Sequence, residues 1–182
     1  MASQPARDLV DRILEQWERE RPDLDPSPMA IIARISRLSR FLERQVESVL
    51  AQHGLSEPQF GVLAALRRAG PPYCLSPTAL YNSLLISSGA MTNRLERLTA
   101  AGFVKRVPDA NDRRSILVML TPKGLRVIEE AVRAHTENEE QLLDPLTGQE
   151  RQTLARLLRK LVLQFEDGNR LIRQIDSVRE SI

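Results

Sequence analysis

The sequence contains few of the residues from which disulfides, metal sites and membrane spans are built. Its single cysteine, Cys74, excludes an internal disulfide and favours a cytoplasmic location. Two histidines and one cysteine offer little from which to build a zinc site, so we expect no metal and no cofactor. No apolar run approaches the ~18 residues of a membrane span, and the first residues, MASQPARDLV, lack a signal-peptide pattern. We therefore expect no membrane association.

Motifs of common catalytic sites are missing as well. The sequence has no Gly-rich phosphate loop and no H-E-x-x-H motif. Neither His53 nor His135 has a nucleophile or carboxylate motif attached to it. We therefore expect that the chain is not an enzyme and that its function is binding.

Positive charge is concentrated in the middle of the chain, although the formal net charge is only +2. Residues 58–126 contain ten lysines and arginines against three acidic residues, a net charge of +7, and the rest of the chain carries −5. A basic segment between acidic arms indicates an anionic partner for the middle only. We interpret that partner as nucleic acid.

Apolar residues recur with helical spacing through most of the chain, and proline and glycine mark the ends of the helices. Four residues have the pattern of helix N-caps: Ser56, Ser76, Ser87 or Ser88, and Thr121. Two strands, FVKRV and SILVML, flank a short charged loop. The predicted helices cover residues 7–20, 29–53, 56–70, 76–84, 87–101, 121–143 and 148–166.

This order of elements predicts a mainly α fold with a small β-hairpin wing, a winged helix-turn-helix with flanking dimerisation helices. Residues 1–57 would form an added N-terminal helix and a long dimerisation helix. Residues 58–121 would form the DNA-binding lobe, and residues 122–182 the C-terminal dimerisation helices. The flanking helices carry more apolar surface than so small a body can bury, so we expect a homodimer with a two-fold axis.

The segment SSGAMTNRLERLTAA, residues 87–101, is the predicted recognition helix. Met91, Leu95 and Leu98 share one face and should lie in the core. Asparagine and arginine on the opposite face suit base edges, and hydroxyls near the helix N-terminus suit phosphate or base. An ordinary amphipathic surface helix is the alternative. The candidate DNA contacts on this helix are Ser87, Ser88, Gly89, Thr92, Asn93 and Arg97.

The loop DANDRR, residues 109–114, is the predicted wing tip. An arginine at the end of a hairpin can enter the minor groove of DNA, where the negative potential is strong. We expect Asp112 to pair with a neighbouring guanidinium and to fix that side chain before DNA arrives. The candidate contacts here are Asp112, Arg113 and Arg114. A solvated loop with a surface ion pair of little worth is the alternative.

Residues 87–124, SSGAMTNRLERLTAAGFVKRVPDANDRRSILVMLTPKG, resemble the signature of the MarR family of bacterial transcription regulators. The resemblance covers residues 30–165 in element order. It implies a homodimer that places two recognition helices in adjacent major grooves of a pseudo-palindromic double-stranded DNA operator. It also matches Asp112 and Arg113 to a wing pair whose arginine probes the minor groove, and leaves open whether Arg113 or Arg114 is inserted.

The helix over residues 7–20 precedes the part that most members of the family share. In this the chain is similar to the subgroup of urate-responsive and related regulators. The resemblance matches Trp17, Arg94 and Arg106 to residues of the subgroup's ligand site. At the position of the subgroup's aspartate this chain has Gly61, which argues against urate itself.

We expect a repressor that is released by a small anionic or aromatic ligand bound between the DNA-binding and dimerisation lobes. The helical wheel turns Arg94 sideways from the apolar stripe, where it could hold an anion with Trp17 as an apolar wall. The structural alternative is Trp17 as a dimer anchor and Arg94 in a local ion pair. Two other functions stay open: a thiol-redox regulator that uses Cys74 in a loop, and a winged-helix protein-interaction module.

Overall fold

The computed structural model describes residues 6–84, 86–109, 112 and 114–179, with side chains described as far as residue 166. Within these residues it confirms the mainly α fold with a small β-sheet. The elements in chain order are α1 (Leu9–Glu20), α2 (Ser27–Gln52), α3 (Glu57–Arg68), β1 (Cys74–Leu75), α4 (Pro77–Leu84), α5 (Ser88–Ala100), β2 (Val104–Pro108), β3 (Ile116–Leu120), α6 (Pro122–Leu142) and α7 (Gly148–Arg179).

Side-chain caps begin four helices where the sequence predicts them. Ser87 is the cap of α5, since its Oγ accepts from the N–H of Ala90 at 3.3 Å. At the start of α3 the Gln59 side chain accepts from the N–H of Ser56 at 2.9 Å. The hydroxyls of Ser76 and Thr121 cap α4 and α6 by accepting from the N–H groups of Ala79 and Gly124. These four caps fix the points at which the chain enters each helix.

The sheet has one more strand than the sequence predicts. Its three antiparallel strands lie in the order β1-β3-β2, with Cys74 opposite Met119 and Leu75 opposite Val118. Cys74 therefore lies in a strand and not in a loop. Two residues are too few to produce an alternating pattern, so this strand is defined only by its partner.

The last helix is longer than the sequence predicts. It continues to Arg179, whereas the prediction ends at residue 166. The prediction followed the apolar face, whose last member is Phe165, but the backbone hydrogen bonds of a helix do not depend on such a face.

Chain contacts divide the molecule into two compact units, up to Asn138 and from Glu139 onward. The core of the first unit is formed by α3, α4, α5, β2, β3, α6 and the end of α2. The largest fully buried side chains of this core include Leu50, Leu63, Leu66, Leu80, Met91, Leu98, Val118 and Ile128. In the second unit, Arg151 is bonded to Glu140 and to the carbonyl of Leu146, and Glu150 accepts from the N–H of Thr147. No helix in the described part of the chain has the length and apolar content to cross a membrane.

An ion-pair cluster holds α1 against α2. The Arg34 guanidinium donates to Asp8 at 2.9 Å and to Asp11 at 2.5 Å, and these carboxylates also form the capping box of α1. The hydrogen bonds from the Asp11 backbone and from Arg34 hold the pKa of Asp8 below its ordinary value. Of the apolar residues of α1, Val10 is buried, whereas Leu9, Ile13 and Trp17 stay exposed.

Candidate nucleic-acid interface

The helix α5 has one buried face and one exposed face, as the helical wheel predicts. Met91, Leu95 and Leu98 are 1%, 3% and 0% exposed and lie in the core. The other face is exposed over the whole length of the helix. All six candidate contacts on α5 and its cap are exposed: Ser87, Ser88, Gly89, Thr92, Asn93 and Arg97.

The first turn of α5 has no side chain at Gly89 and has open space beside that residue. A Cβ placed on Gly89 would have no atom within 4 Å, so the helix can approach another surface closely at that point. The Thr92 hydroxyl donates to the carbonyl of Ser88 at 3.0 Å, which leaves its oxygen as an acceptor for an outside group. The N–H groups at the start of the helix add partial positive charge.

The Asp112 carboxylate organises the backbone of the wing tip. It accepts from the N–H of Arg114 at 3.0 Å and from the hydroxyl of Ser115 at 2.7 Å, and these bonds lower its pKa. The N–H of Ser115 donates to the Asp112 carbonyl at 2.9 Å, and the N–H of Asp109 donates to the Ser115 carbonyl at 3.0 Å. The described bonds of the carboxylate are thus to backbone and hydroxyl, and its pairing with a guanidinium stays a prediction. Arg113 lies outside the described residues.

Below the tip, the wing is a paired hairpin with exposed cations. Lys105 lies opposite Met119 and Arg106 lies opposite Val118, and both cations are exposed. Arg114 is exposed at the tip. Because β3 is hydrogen-bonded to β2 on one side and to β1 on the other, the base of the wing is fixed to the lobe.

Arg94 lines a cleft between the first turn of α3 and the helix α5. The cleft has a volume of about 380 Å³. Arg94 is half-buried there, and Arg97 is exposed at the same cleft. The lining residues are Ser56, Pro58, Gln59, Gly89, Ala90, Asn93, Arg94 and Arg97. Two guanidinium groups beside polar side chains suit an anion.

The sequence alone does not connect Ser56 and Gln59 with Arg94. S-E-P-Q predicts only a helix start, and the hydrogen bond between Ser56 and Gln59 confirms that role. Nothing in the spacing of the two segments indicates that they face each other, because α4 lies between them in the chain. Their proximity follows from the packing of α3 against α5.

The three predicted ligand residues lie on three different elements. Trp17 is on α1 and 41% exposed, Arg94 is on α5, and Arg106 is on β2. Of the three, only Arg94 is among the residues that line the cleft. A Cβ on Gly61 would lie 3.7 Å from the Leu84 side chain, so an acidic side chain there would begin against an apolar neighbour. A ligand site that joins Trp17, Arg94 and Arg106 stays a prediction.

Other chemistry has little support in the described part of the molecule. Cys74 is a half-buried free thiol in β1, and a redox role for it stays a prediction. His135 packs edge-on against Phe60, with ring centroids 5.1 Å apart. Among residues 6–84, 86–109, 112 and 114–179, no group of three or more His, Cys, Asp or Glu side chains is arranged to hold a metal ion.

Comparison with known proteins gives a consistent result. The MarR family model matches residues 53–115, from the end of α2 to the end of the wing loop. The chain is 42% identical over 149 residues to the HTH-type transcriptional regulator PecS of Dickeya dadantii, covering 82% of this chain and 90% of that protein. It is 35% identical to the multiple antibiotic resistance protein MarR of Salmonella typhimurium, covering 66% of this chain and 82% of that protein.

A solved structure gives the same match in three dimensions. It is that of a cysteine-to-serine mutant of MarR from E. coli complexed with operator DNA. It has a TM-score of 0.63 and 29% sequence identity, covering 85% of this chain and 99% of that one. The element order and the wing described above are therefore also the fold of a protein crystallised on its operator.

Proposed function

Because this chain belongs to the MarR family of transcriptional regulators, we propose that it acts in the cytoplasm as a homodimeric repressor of a pseudo-palindromic operator. The observation that carries this proposal is the exposed polar face of α5 beside a wing with exposed arginines. A relative of the same fold has been solved with operator DNA bound. The relatives named above are regulators and not enzymes.

The two parts of this surface have different roles in the proposal. Asn93 and Arg97 point to base edges in the major groove, since amide and guanidinium groups read adenine and guanine there. Ser87, Ser88, Gly89 and Thr92 hold the start of α5 close to phosphate. Arg113 or Arg114 enters the minor groove, and Asp112 fixes the loop that presents them.

The proposed dimer is supported by apolar side chains that the single chain leaves exposed. On α2 these are Ile31, Ile32, Ile35, Leu38 and Phe41. On α7 they are Leu154, Leu157, Leu158, Leu161, Val162, Leu163 and Phe165. Monomers seldom expose so many large apolar residues on one helix, so we assign residues 1–57 and 122–182 to dimerisation and residues 58–121 to DNA binding.

A small anionic or aromatic ligand would release the repressor from DNA. Arg94 is the residue with most support for this role, because it is half-buried in a cleft that it shares with Arg97 and Asn93. A ligand that occupies Arg94 there favours a state in which α5 is no longer free to contact the groove. Trp17 and Arg106 do not line this cleft and stay proposed ligand residues on the resemblance alone.

The test is selection of bound duplexes from a random pool, followed by a salt titration. We expect a pseudo-palindromic site whose affinity falls steeply with salt, because each released counterion adds to the slope. The Asn93→Ala variant should lose base preference at one position in each half-site, by about fivefold or more. A protein-interaction module would enrich no duplex at any salt concentration, and that result would reject the proposal.

A further inference from the structure

The turn that follows α5 presents a row of backbone carbonyls. α5 ends in a Schellman motif, in which the N–H of Phe103 donates to Leu98 at 3.0 Å and the N–H of Gly102 donates to Thr99 at 2.9 Å. Gly102 has a φ of +73°, as this motif requires. The carbonyls of Ala101, Gly102 and Phe103 lie past the last helical hydrogen bond and need other donors.

The first turn of α6 supplies these donors. The hydroxyl of Thr121 donates to the Gly102 carbonyl at 2.7 Å, and the N–H of Thr121 donates to the Phe103 carbonyl at 3.0 Å. The ammonium of Lys123 donates to the Ala101 carbonyl at 2.8 Å. We name this set of three hydrogen bonds the α5–α6 clasp.

Lys123 has a second contact on the same side. Its Nζ lies 4.9 Å from the centroid of the Phe103 ring, within the range of a cation–π interaction. A cation at the C-terminal end of α5 also interacts favourably with the helix dipole. Both described contacts of the Lys123 ammonium therefore hold it against the end of α5.

Gly124 permits the close approach on which the clasp depends. A Cβ at this position would overlap the carbonyl oxygen of Phe103 and lie 2.8 Å from its carbonyl carbon. The four residues T-P-K-G thus have separate uses: a cap and double donor at Thr121, a helix start at Pro122, a cation at Lys123, and space at Gly124.

We propose that Lys123 is a positioning residue for the recognition helix, which it holds at its C-terminal end through Ala101 and Phe103 without touching DNA. Reading bases requires that side chains such as Arg97 be held within about 0.5 Å of their productive positions. The inference rests on the proposed function, since it concerns operator recognition. If Lys123 has this role, it is not one of the basic residues of segment 58–126 that bind phosphate.

The opposing interpretation is that Lys123 binds a DNA phosphate. The two roles differ in salt dependence and in specificity. Removal of a phosphate contact lowers the salt slope by about one and weakens binding to all sequences equally. Removal of a positioning residue leaves the slope unchanged and weakens binding only where bases are read.

The experiment compares the wild type with three variants. Lys123→Met removes the ammonium but keeps an apolar stem over Phe103. Arg126→Met removes the same charge one turn farther along α6, from an exposed residue with no hydrogen bond among the described contacts. Thr121→Val removes the hydroxyl bond of the clasp, together with the side-chain cap of α6, without any change of charge. Affinities are measured from low to moderate salt on the duplex selected by the wild type and on a scrambled duplex of equal composition.

For Lys123→Met we expect the affinity for the selected duplex to fall about five- to tenfold, which is the value of one charge-assisted hydrogen bond. On the scrambled duplex its affinity should equal that of Arg126→Met. The salt slope should equal that of the wild type. At a temperature well below its unfolding midpoint, Thr121→Val should show the same fall in affinity on the selected duplex and none on the scrambled duplex. An equal loss on both duplexes, a slope lower by about one, or wild-type discrimination in Lys123→Met would overturn the inference. If the wild type itself selects no duplex, the proposed function fails, and the inference that rests on it fails too.

Discussion

At the scale of single residues, neighbouring arginines on α5 have different environments. Both line the cleft beside α3, but Arg97 is exposed, whereas Arg94 is half-buried. Since α-helical neighbours three residues apart differ by about 60° around the axis, a small rotation separates a base contact from a ligand contact. Substitutions of the two residues should therefore impair different properties, the response to ligand for Arg94 and operator affinity for Arg97.

We predict that Arg94→Ala weakens the response to ligand more than it weakens operator binding at low salt. With benzoate as the anionic aromatic probe, the half-maximal concentration for release should rise about tenfold, because a charge-assisted bond is lost. Arg97→Ala is the matched control and should lower operator affinity itself by about tenfold. Gel-shift titrations measure both values. An unchanged benzoate dose-response in Arg94→Ala would reject this role.

Alanine substitutions at two glycines should affect folding stability and operator binding separately. Gly124→Ala places a Cβ on the Phe103 carbonyl, and we expect a loss of about 1–3 kcal/mol in the free energy of unfolding. Gly89→Ala meets open space and adds helix propensity, so its stability should not fall, yet its extra methyl group should weaken operator binding. Thermal unfolding and gel shifts measure the two effects. Full operator affinity in Gly89→Ala would show that α5 does not approach DNA at this turn.

At the scale of elements, the wing tip depends on the ionised state of one carboxylate. The pKa of Asp112 is lowered, first by the Arg114 N–H and then by the Ser115 hydroxyl. A group whose pKa is lower in the folded than in the unfolded chain stabilises the fold above its unfolded pKa, and that contribution is lost as the pH falls through the folded value. The bonded tip should therefore be fully formed at neutral pH.

We predict that the Ser115 amide resonance titrates with an apparent pKa below the ordinary aspartate range. Asp112→Asn is the control and should abolish that titration, because an amide does not ionise in this range. The same variant should weaken operator binding while leaving α5 intact. NMR-monitored acid titration measures the effect, and a midpoint at or above the ordinary aspartate value would contradict it.

The elements that the sequence predicts well have local causes. The caps at Ser87 and Thr121 and the buried stripe of Met91, Leu95 and Leu98 follow from residue spacing within one helix. The strand β1 and the cleft at Arg94 could not be predicted, because each exists only where two distant segments pack. Lys123 shows the same limit: its charge was evident in the sequence, but its partners Ala101 and Phe103 were not.

At the scale of the whole molecule, the proposed function depends on a second copy of the chain. A pseudo-palindromic operator contacts two copies of α5 at once, so dissociation of the dimer halves the number of contacts. The apolar face of α7 includes Leu157, Leu161 and Phe165, all of them exposed in the single chain. A charge on this face should oppose pairing because it would be buried without a partner.

We predict that Leu161→Asp shifts the protein from dimer to monomer and lowers operator affinity by at least about a hundredfold. Gln152→Asp is the matched control, since it adds the same charge on the opposite side of α7. Sedimentation velocity gives the molecular mass, and gel shifts give the affinity. A Leu161→Asp protein that remains dimeric would show that this face of α7 is not the interface.

The three-stranded sheet holds the wing at its base. Its base is fixed on both sides of β3, because β3 pairs with β1 and with β2, and Pro108 and Ile116 form the last pair before the loop. Deletions or insertions between Pro108 and Ile116 would alter how far the arginines extend without changing the strand pairing at the base of the wing. Changes at the tip would thus alter the contacts of the wing with little effect on folding.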